Sequence, residues 1–354
     1  MNADRNQTPQ LTRRGVIGGI IALGFGRSVI GSVGAVDSRW TFETGDWVSS
    51  SPAAAGGTVY VGSADANVYA IDANDGVEVW RFETGSSIQS SPAVAGGTVY
   101  VGSDDGNLYA LNAGGGGEEW RFGTGGSVIS SPSLTGGTVY VGSNDGNLYA
   151  LGAGNGDEQW RFGTGGAVVS SPTISGDNVY AGSEDTFVYA LNAGNGEELW
   201  RFDTGGSVVS SPAVAGGTVY VGSNDGTVYA LAAGDGGEEW RFETGGVVVS
   251  TPAVAGGTVY VGSNDGNLYA LAAGNGDEQW QFGTGGAVNS SPTVLGGTVY
   301  VGSNDANLYA VDAGTGSEEW RFSTGERVVS SPAVDEGVVY VGSNDANVYA
   351  VVPG

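Results

Sequence analysis

A tryptophan that returns every forty residues dominates this sequence. It stands at Trp40, Trp80, Trp120, Trp160, Trp200, Trp240, Trp280 and Trp320. Each tryptophan opens a near-copy of one forty-residue unit, and eight such units fill almost the whole chain. A fixed period of this length is typical of repeat architectures, in which neighbouring copies stack on one another. The period runs on to Tyr349 without a linker, so we expect one closed domain over residues 36–354.

Turn-forming residues divide each unit into four short strands. In the unit that begins at Trp200, the predicted strands are residues 210–214, 218–223, 227–231 and 238–242, separated by glycine-rich turns. Asp225-Gly226 is a strong hairpin signal, for which we expect a type I′ turn. Because no segment has a 3.6-residue apolar period, four strands repeated eight times predict an all-β fold, an eight-bladed β-propeller of four-stranded antiparallel blades.

The two ends of the chain predict how the ring closes. The eighth copy stops after three strands, and the missing strand with its tryptophan stands near the start, at residues 38–42. We expect it to pair with residues 347–351 and so remove the open sheet edges. A proline recurs in every predicted first strand, as at Pro212, and an innermost strand that lines the channel tolerates the missing ladder donor.

Composition excludes several function classes. The formal net charge is −26, all twelve basic residues are arginines, and cysteine and histidine are absent. This charge makes nucleic acid an unsuitable partner, and the two absences remove disulfides, thiolate metal sites and the commonest general base. Molar salt screens such self-repulsion within ~3 Å, so the composition is similar to that of salt-in halophiles. An acidic protein of an ordinary organism is the alternative.

The N-terminus resembles an export signal. Arg13-Arg14 precedes an apolar run that is too short to span a bilayer comfortably, and small residues up to Ala35 offer a cleavage site. We expect a twin-arginine signal peptide over residues 1–35, export to the extracellular space or cell surface, and no stable membrane span after processing. A chance arginine pair in a cytosolic protein is the alternative.

The repeat resembles that of quinoprotein-type propellers, a family that includes pyrroloquinoline quinone (PQQ) dehydrogenases and an outer-membrane assembly lipoprotein. Residues 139–151 and 153–162 carry the pattern, and the resemblance covers residues 38–352. It implies that the eight periodic tryptophans dock between neighbouring blades as structural residues, with Trp80 against Gly76 and Trp200 against Gly196. An aromatic platform for a ligand is the alternative for this set.

An aspartate also recurs in every predicted hairpin, at Asp65, Asp105, Asp145, Asp185, Asp225, Asp265, Asp305 and Asp345. A ring of carboxylates on one face could bind a cation. Each aspartate also stands where it could cap its own turn by accepting backbone N–H bonds, and we prefer this structural interpretation. The serines of the same period have no histidine or lysine to activate them, so no catalytic residue and no metal ligand is assigned.

Binding residues are expected where one copy departs from the others. Most departures fall in the loop that leads from the tryptophan strand into the next blade, where most copies have Gly-Gly. Blades 8, 1 and 2 are neighbours in the closed ring, and blade 7 adjoins them. The predicted ligand-binding residues of this sector are Asp46, Trp47, Gln89, Asn289, Glu326 and Arg327. An aromatic anchor beside opposed charges suits a peptide, a glycan or a small polar ligand. Sequence drift near the termini is the alternative.

The sequence therefore favours an exported, monomeric binding or scaffold propeller without a cofactor, whose partner is an unknown protein or small polar ligand.

A PQQ-dependent dehydrogenase is the second hypothesis. In that family the chemistry needs adjacent cysteines, a calcium site of acid and amide ligands, a catalytic aspartate and a tryptophan that stacks on the cofactor. This chain has no cysteine and no copy that matches the calcium motif. A lyase or glycosidase acting in the channel is a third possibility, although nothing in the spacing selects a pair of carboxylates.

Overall fold

The computed structural model describes residues 34–353, which form an eight-bladed β-propeller. The expected signal peptide therefore lies outside the described residues, apart from Gly34 and Ala35. The described residues begin with strands β1 (Gly34–Ala35) and β2 (Ser38–Glu43). The strands of blade 1 are β3 (Ala53–Ala55), β4 (Thr58–Gly62), β5 (Asn67–Asp72) and β6 (Glu78–Glu83). Those of blade 2 are β7 (Ala93–Ala95), β8 (Thr98–Gly102), β9 (Asn107–Asn112) and β10 (Glu118–Gly123).

The next four blades repeat this layout. The strands of blade 3 are β11 (Ser133–Thr135), β12 (Thr138–Gly142), β13 (Asn147–Gly152) and β14 (Glu158–Gly163). Those of blade 4 are β15 (Thr173–Ser175), β16 (Asn178–Gly182), β17 (Phe187–Asn192) and β18 (Glu198–Asp203). Those of blade 5 are β19 (Ala213–Ala215), β20 (Thr218–Gly222), β21 (Thr227–Ala232) and β22 (Glu238–Glu243). Those of blade 6 are β23 (Ala253–Ala255), β24 (Thr258–Gly262), β25 (Asn267–Ala272) and β26 (Glu278–Gly283).

The last two blades contain the remaining strands. The strands of blade 7 are β27 (Thr293–Leu295), β28 (Thr298–Gly302), β29 (Asn307–Asp312) and β30 (Glu318–Ser323). Blade 8 has β31 (Ala333–Asp335), β32 (Val338–Gly342) and β33 (Asn347–Val351), together with β2. In blades 1 to 7 these four strands follow chain order from the channel outwards, in blade 8 the outer strand is β2, and the four strands of every blade pair antiparallel. Neighbouring innermost strands contact each other around the whole ring, and β31 meets β3. The predicted fold class is confirmed.

The N-terminal strand closes the ring as expected. Strand β2 pairs antiparallel with β33, with Trp40 opposite Ala350 and Glu43 opposite Asn347. Blade 8 thus contains strands from both ends of the domain, and Glu43 of its outer strand pairs with Asn347. The short strand β1 was not predicted. It runs parallel to β30 and adds a fifth strand to blade 7, with Gly34 opposite Trp320.

The hydrophobic core lies between the blades. Tyr180 and Val188 of blade 4, for example, pack with Val219 and Tyr229 of blade 5, and Trp200 covers the outer end of this cluster. Equivalent clusters fill the other interfaces. Alternate residues of a strand point to opposite faces of its sheet, so each blade buries one face against each neighbour.

The periodic tryptophans do dock between blades, but the expected partners are wrong. Trp80 packs against Gly116 of the following blade and not against Gly76, which contacts Trp40. The indole Nε1 of Trp80 also donates to the Ala113 carbonyl oxygen at 2.9 Å. The outermost strand of one blade faces the turn before the outermost strand of the next, so each indole reaches forward along the chain. Trp200 likewise packs against Gly236 rather than Gly196.

The innermost strands are shorter than predicted. Strand β19 begins at Ala213, so Pro212 lies just before the ladder rather than inside it. The preceding serines bond to the next blade instead. The backbone N–H of Ser51 donates to the Ser91 hydroxyl at 2.9 Å, and the N–H of Ser331 donates to Ser51 at 2.8 Å across the closure. This segment therefore links neighbouring blades around the channel.

The hairpin turn also differs from the expected type. A type I′ turn needs positive φ at both central residues, but of Asn224, Asp225 and Gly226 only Gly226 has a positive φ, at 89°. The Gly226 N–H donates to the Ser223 carbonyl oxygen at 3.1 Å. This is a type I turn followed by a left-handed residue, a conformation that the carboxylate of Asp225 stabilises by accepting the Thr227 N–H at 2.8 Å.

Removal of β2 should open the ring. We expect the protein without residues 1–43 to lose its single cooperative thermal transition, because β33 becomes a bare edge and the cluster around Trp40 loses its outer wall. Differential scanning calorimetry provides the measurement. The protein without residues 1–35 keeps β2 and is the matched control, expected to melt in one transition. Equal melting of the two proteins would contradict closure by β2.

The contact between tryptophan and glycine should be sensitive to one methyl group. A Cβ on Gly236 would lie 2.7 Å from the Trp200 ring, and its φ of 73° already disfavours other residues. We expect Gly236→Ala to lower the free energy of unfolding by about 2 kcal/mol or more, measured by urea denaturation. Gly234 belongs to the same turn but has open space at its Cβ position, so Gly234→Ala is the control, expected to change stability little. Equal effects would show that the indole contact is unimportant.

Candidate functional site

The loops that enter each blade lie on the same face as the aspartate hairpins. The Gly45 N–H donates to the Asp65 carboxylate at 2.6 Å, and the Ala64 N–H donates to the Trp47 carbonyl oxygen at 2.9 Å. Thr44 reaches back to the preceding blade, where its N–H and hydroxyl both donate to the Ala346 carbonyl oxygen. The loops are therefore held by hairpins on both sides, as the predicted site requires.

The hairpin aspartates hold their own turns. Asp145 accepts hydrogen bonds from the backbone N–H of Asn147 and Gly125 and from the Tyr149 hydroxyl, the last at 2.6 Å. Burial raises the pKa of this carboxyl, but the tyrosine and backbone hydrogen bonds outweigh burial and leave the pKa below its ordinary value. The same holds for Asp65, Asp105, Asp265 and Asp305. The pKa of the bonded tyrosine shifts in the opposite direction. Burial and the adjacent carboxylate raise the pKa of Tyr149 to about 12.

This arrangement agrees with the structural interpretation of the aspartates. Their oxygens are used within the hairpin and the adjoining loop, so they do not converge on a shared ion. Within residues 34–353 no three or more carboxylates lie close enough together to hold a metal ion. Together with the lack of cysteine, the described residues do not fit the calcium and PQQ site that the dehydrogenase hypothesis requires.

Four of the six predicted binding residues line one pocket. This pocket, called here the mouth pocket, lies between blades 8 and 1 and has a volume of about 350 Å³. Its lining residues are Asp46, Trp47, Glu326, Arg327 and Asn344. Asp46, Glu326 and Arg327 are exposed, and Trp47 is half-buried. The pocket thus offers an indole face, two carboxylates, a guanidinium and an amide.

Arg327 differs from most described arginines because, like Arg39, it has no ion pair among residues 34–353. Six arginines of the outer strands pair with a glutamate three residues earlier, as in Arg321 and Glu318 at 2.8 Å. No carboxylate among the described residues lies within the 4.0 Å ion-pair distance of Arg327. Its guanidinium therefore keeps donors available for a ligand at the channel mouth.

The two remaining predicted residues lie in the flanking blades, outside the pocket lining. Gln89 of blade 2 donates its amide N–H to the Asp104 carboxylate at 3.0 Å. Asn289 of blade 7 has its side-chain oxygen buried without a hydrogen-bond partner. The sequence did not single out Asn344, because asparagine is the usual residue at its repeat position. Asn344 belongs to the candidate site because it lines the same pocket as Trp47 and Arg327.

Comparison with known proteins identifies the repeat. The sequence profile of the family described as outer membrane protein assembly factor BamB matches residues 29–184, 104–210, 184–293 and 276–352. No curated protein sequence matches the chain. Within the described residues, no helix has the length and apolar character needed to cross a membrane.

Three solved structures share the fold. BamB from Moraxella catarrhalis has a TM-score of 0.78 and 18% identity, over 90% of this chain and 100% of its own. The computationally designed protein Ika8 has a TM-score of 0.79 and 18% identity, over 88% of this chain and 98% of its own. The quinohemoprotein alcohol dehydrogenase from Comamonas testosteroni has a TM-score of 0.76 and 16% identity, over 90% of this chain and 76% of its own. At these identities the likeness concerns the fold alone.

The lowered pKa of the hairpin carboxyls predicts a pH-dependent stability. A carboxyl with a lowered pKa in the folded state stabilises the fold above its unfolded pKa of about 3.9, and this contribution disappears as pH falls through the folded value. Asp145→Asn should therefore destabilise the protein by about 2 kcal/mol at pH 7, and the difference from wild type should shrink below about pH 4. Urea unfolding at constant salt over this range measures both.

The exposed side chain of Glu197 provides the control. Glu197→Gln should leave the free energy of unfolding nearly unchanged across the same pH range. A difference between Asp145→Asn and wild type that stays constant down to pH 2 would contradict the role of the ionised carboxylate.

Proposed function

Because this chain belongs to the family of the outer membrane protein assembly factor BamB, we propose that it is a binding or scaffold propeller without catalytic activity. The observation that carries the proposal is the mouth pocket. Its residues come from two blades, four of the five depart from the repeat, and they combine one aromatic ring with charged groups of both signs. Binding energy at protein surfaces concentrates in aromatic and arginine side chains of this kind.

The partner is a protein or a small polar ligand that docks on the face of the hairpins. Trp47 offers a rigid apolar surface, and Arg327 offers donors that no carboxylate of the described residues takes within 4.0 Å. Asp46 and Glu326 flank them as exposed acceptors. A ligand with both donors and acceptors satisfies all these groups at once, whereas a purely anionic ligand would face the strong negative charge of the whole protein.

We further propose that the protein is exported by the twin-arginine route and works in concentrated salt. Arg13-Arg14 and the apolar run that follows support the route, and the net charge of −26 supports the environment. Export in the folded state suits a ring whose last blade needs residues 38–43 and 347–351 together.

Binding should depend on Trp47 and Arg327. Labelled full-chain protein is applied in molar salt to a peptide array and to a glycan array, and its hits are titrated by tryptophan fluorescence. We expect Trp47→Ser and Arg327→Ser each to weaken binding by about 2 kcal/mol, roughly thirtyfold. Serine occupies the equivalent position in blades 2, 3 and 5, at Ser87, Ser127 and Ser207, so the fold should accept both changes.

Arg121→Ser on the outer edge of blade 2 is the matched control and should bind as wild type does. Hits that keep their affinity in both pocket variants would overturn the pocket as the binding site. Addition of PQQ with Ca²⁺ checks the dehydrogenase hypothesis, since the absorbance of bound PQQ on the protein would contradict a propeller without a cofactor.

A further inference from the structure

Four buried side-chain oxygens have no hydrogen-bond partner among the described residues. They are Asp104 Oδ1, Asn289 Oδ1, Asn304 Oδ1 and Asn344 Oδ1. They belong to blades 2, 7 and 8, and Asn344 lines the mouth pocket. Buried polar atoms are normally paired, and an unpaired acceptor costs stability. All four oxygens accept hydrogen bonds, so whatever satisfies them must bring donors.

The burial is specific to this sector of the ring. Three of the four residues stand directly before the hairpin aspartate. At the same position in blades 3, 5 and 6, Asn144, Asn224 and Asn264 are exposed. The residue type is the same, so the neighbours make the difference.

In two cases a large side chain stands at the loop position of the following blade that faces the hairpin. The Ser207 hydroxyl shows where the relevant loop position points, since it donates to the carbonyl oxygen of the preceding hairpin residue, Glu184, at 3.1 Å. Trp47 and Arg327 occupy this position in blades 1 and 8, so their side chains extend toward Asn344 and Asn304. In blade 2, Gln89 approaches Asp104 instead.

Backbone strain occurs in part of the same sector and in blade 4. The left-handed position of the hairpin holds glycine in blades 2, 3, 5 and 6, threonine in blade 4 (Thr186, φ 83°) and alanine in blades 7, 8 and 1. Ala306, Ala346 and Ala66 have φ values of 69°, 66° and 71°. A residue with a Cβ is strained there, and such strain concentrates at functional sites. Unpaired acceptors and strained hairpins thus coincide around the mouth pocket.

We propose that the mouth pocket and its flanking amides bind a saccharide; this rests on the proposed binding function and names its ligand class. Each sugar hydroxyl both donates and accepts. It can therefore donate to the carboxylates of Asp46 and Glu326 while it accepts from Arg327, and it reaches the buried amide oxygen of Asn344 once that side chain turns into the pocket. The apolar C–H face of a pyranose packs on an indole such as Trp47.

A cationic peptide fits less well. A lysine or arginine side chain offers donors only, so it would satisfy the oxygens but bring a like charge to Arg327. The unpaired acceptors extend from blade 7 to blade 2, beyond the reach of one side chain. Three of the four are neutral amides, which favour hydroxyl groups as much as a cation.

The experiment separates the ligand class from the binding function. Full-chain protein is tested in molar salt against the array of neutral and charged oligosaccharides and the array of basic and acidic peptides. Saccharide hits are then titrated by calorimetry with wild type, Trp47→Ser, Asn344→Ala and Asn264→Ala. The last two remove the same amide from equivalent positions, one in the mouth pocket and one exposed in blade 6.

We expect neutral oligosaccharides among the hits, with affinity reduced at least tenfold by Trp47→Ser and Asn344→Ala and unchanged by Asn264→Ala. The melting temperature of Asn344→Ala without ligand should equal or exceed that of wild type, because the change removes an unpaired buried oxygen. This rules out misfolding as the cause of weaker binding.

Two other outcomes would overturn the saccharide proposal. If only peptides bind, and Trp47→Ser abolishes this, the ligand class is wrong and the binding function stands. If neither array gives a hit that depends on Trp47 or Arg327, both the ligand class and the function of the pocket are wrong.

Discussion

The fold depends on the burial of each blade against the next. A single four-stranded sheet of this sequence cannot cover its own tyrosines, valines and tryptophan, so its stability comes from the neighbouring copy. The indole on the outer strand completes each interface, and in seven of the eight interfaces a glycine stands opposite it, where a Cβ would lie about 2.7 Å from the ring. A linear stack would leave one face bare at each end. Closure through β2 removes both bare faces at once.

The sequence predicts this architecture well because eight copies repeat the same evidence. Strand order, blade number and closure all follow from the pattern, whereas several details of side-chain contact, strand length and turn type were wrong. Trp80 contacts Gly116 rather than Gly76, since the sequence does not show in which direction an indole crosses an interface. Pro212 lies outside the ladder because the serines before it bond to both neighbouring blades: the Ser211 hydroxyl accepts from the Ser171 N–H, and the Ser210 hydroxyl donates to the Ser250 carbonyl oxygen. Asp225 does not adopt positive φ because its carboxylate caps the turn.

The candidate site was predictable only in part, for a related reason. Trp47 and Arg327 stand out because their letters differ from those of other copies, and the structure places them around one pocket with Asp46 and Glu326. Asn304 and Asn344 share their letter with Asn224 and Asn264, which are exposed. Their oxygens are nevertheless buried and unpaired, and the loop position that faces them in the following blade holds Arg327 and Trp47. Comparison of residue types between the copies cannot detect a difference in burial between identical asparagines.

The contrast between paired and unpaired groups connects stability with binding. Around the ring, the hairpin aspartates, the outer glutamates and the periodic tryptophans bond to groups of the protein itself, as Asp145 and Trp80 do. Such residues repeat because every blade needs them, and most of their hydrogen-bonding groups are already paired within the protein. In the sector of blades 7, 8, 1 and 2, by contrast, Arg327 lacks an ion pair, four acceptors lack donors, and alanines take the left-handed position. A ring stabilised by eight equivalent interfaces can tolerate these local costs in one sector, and a ligand that brings hydrogen bonds there would recover part of them.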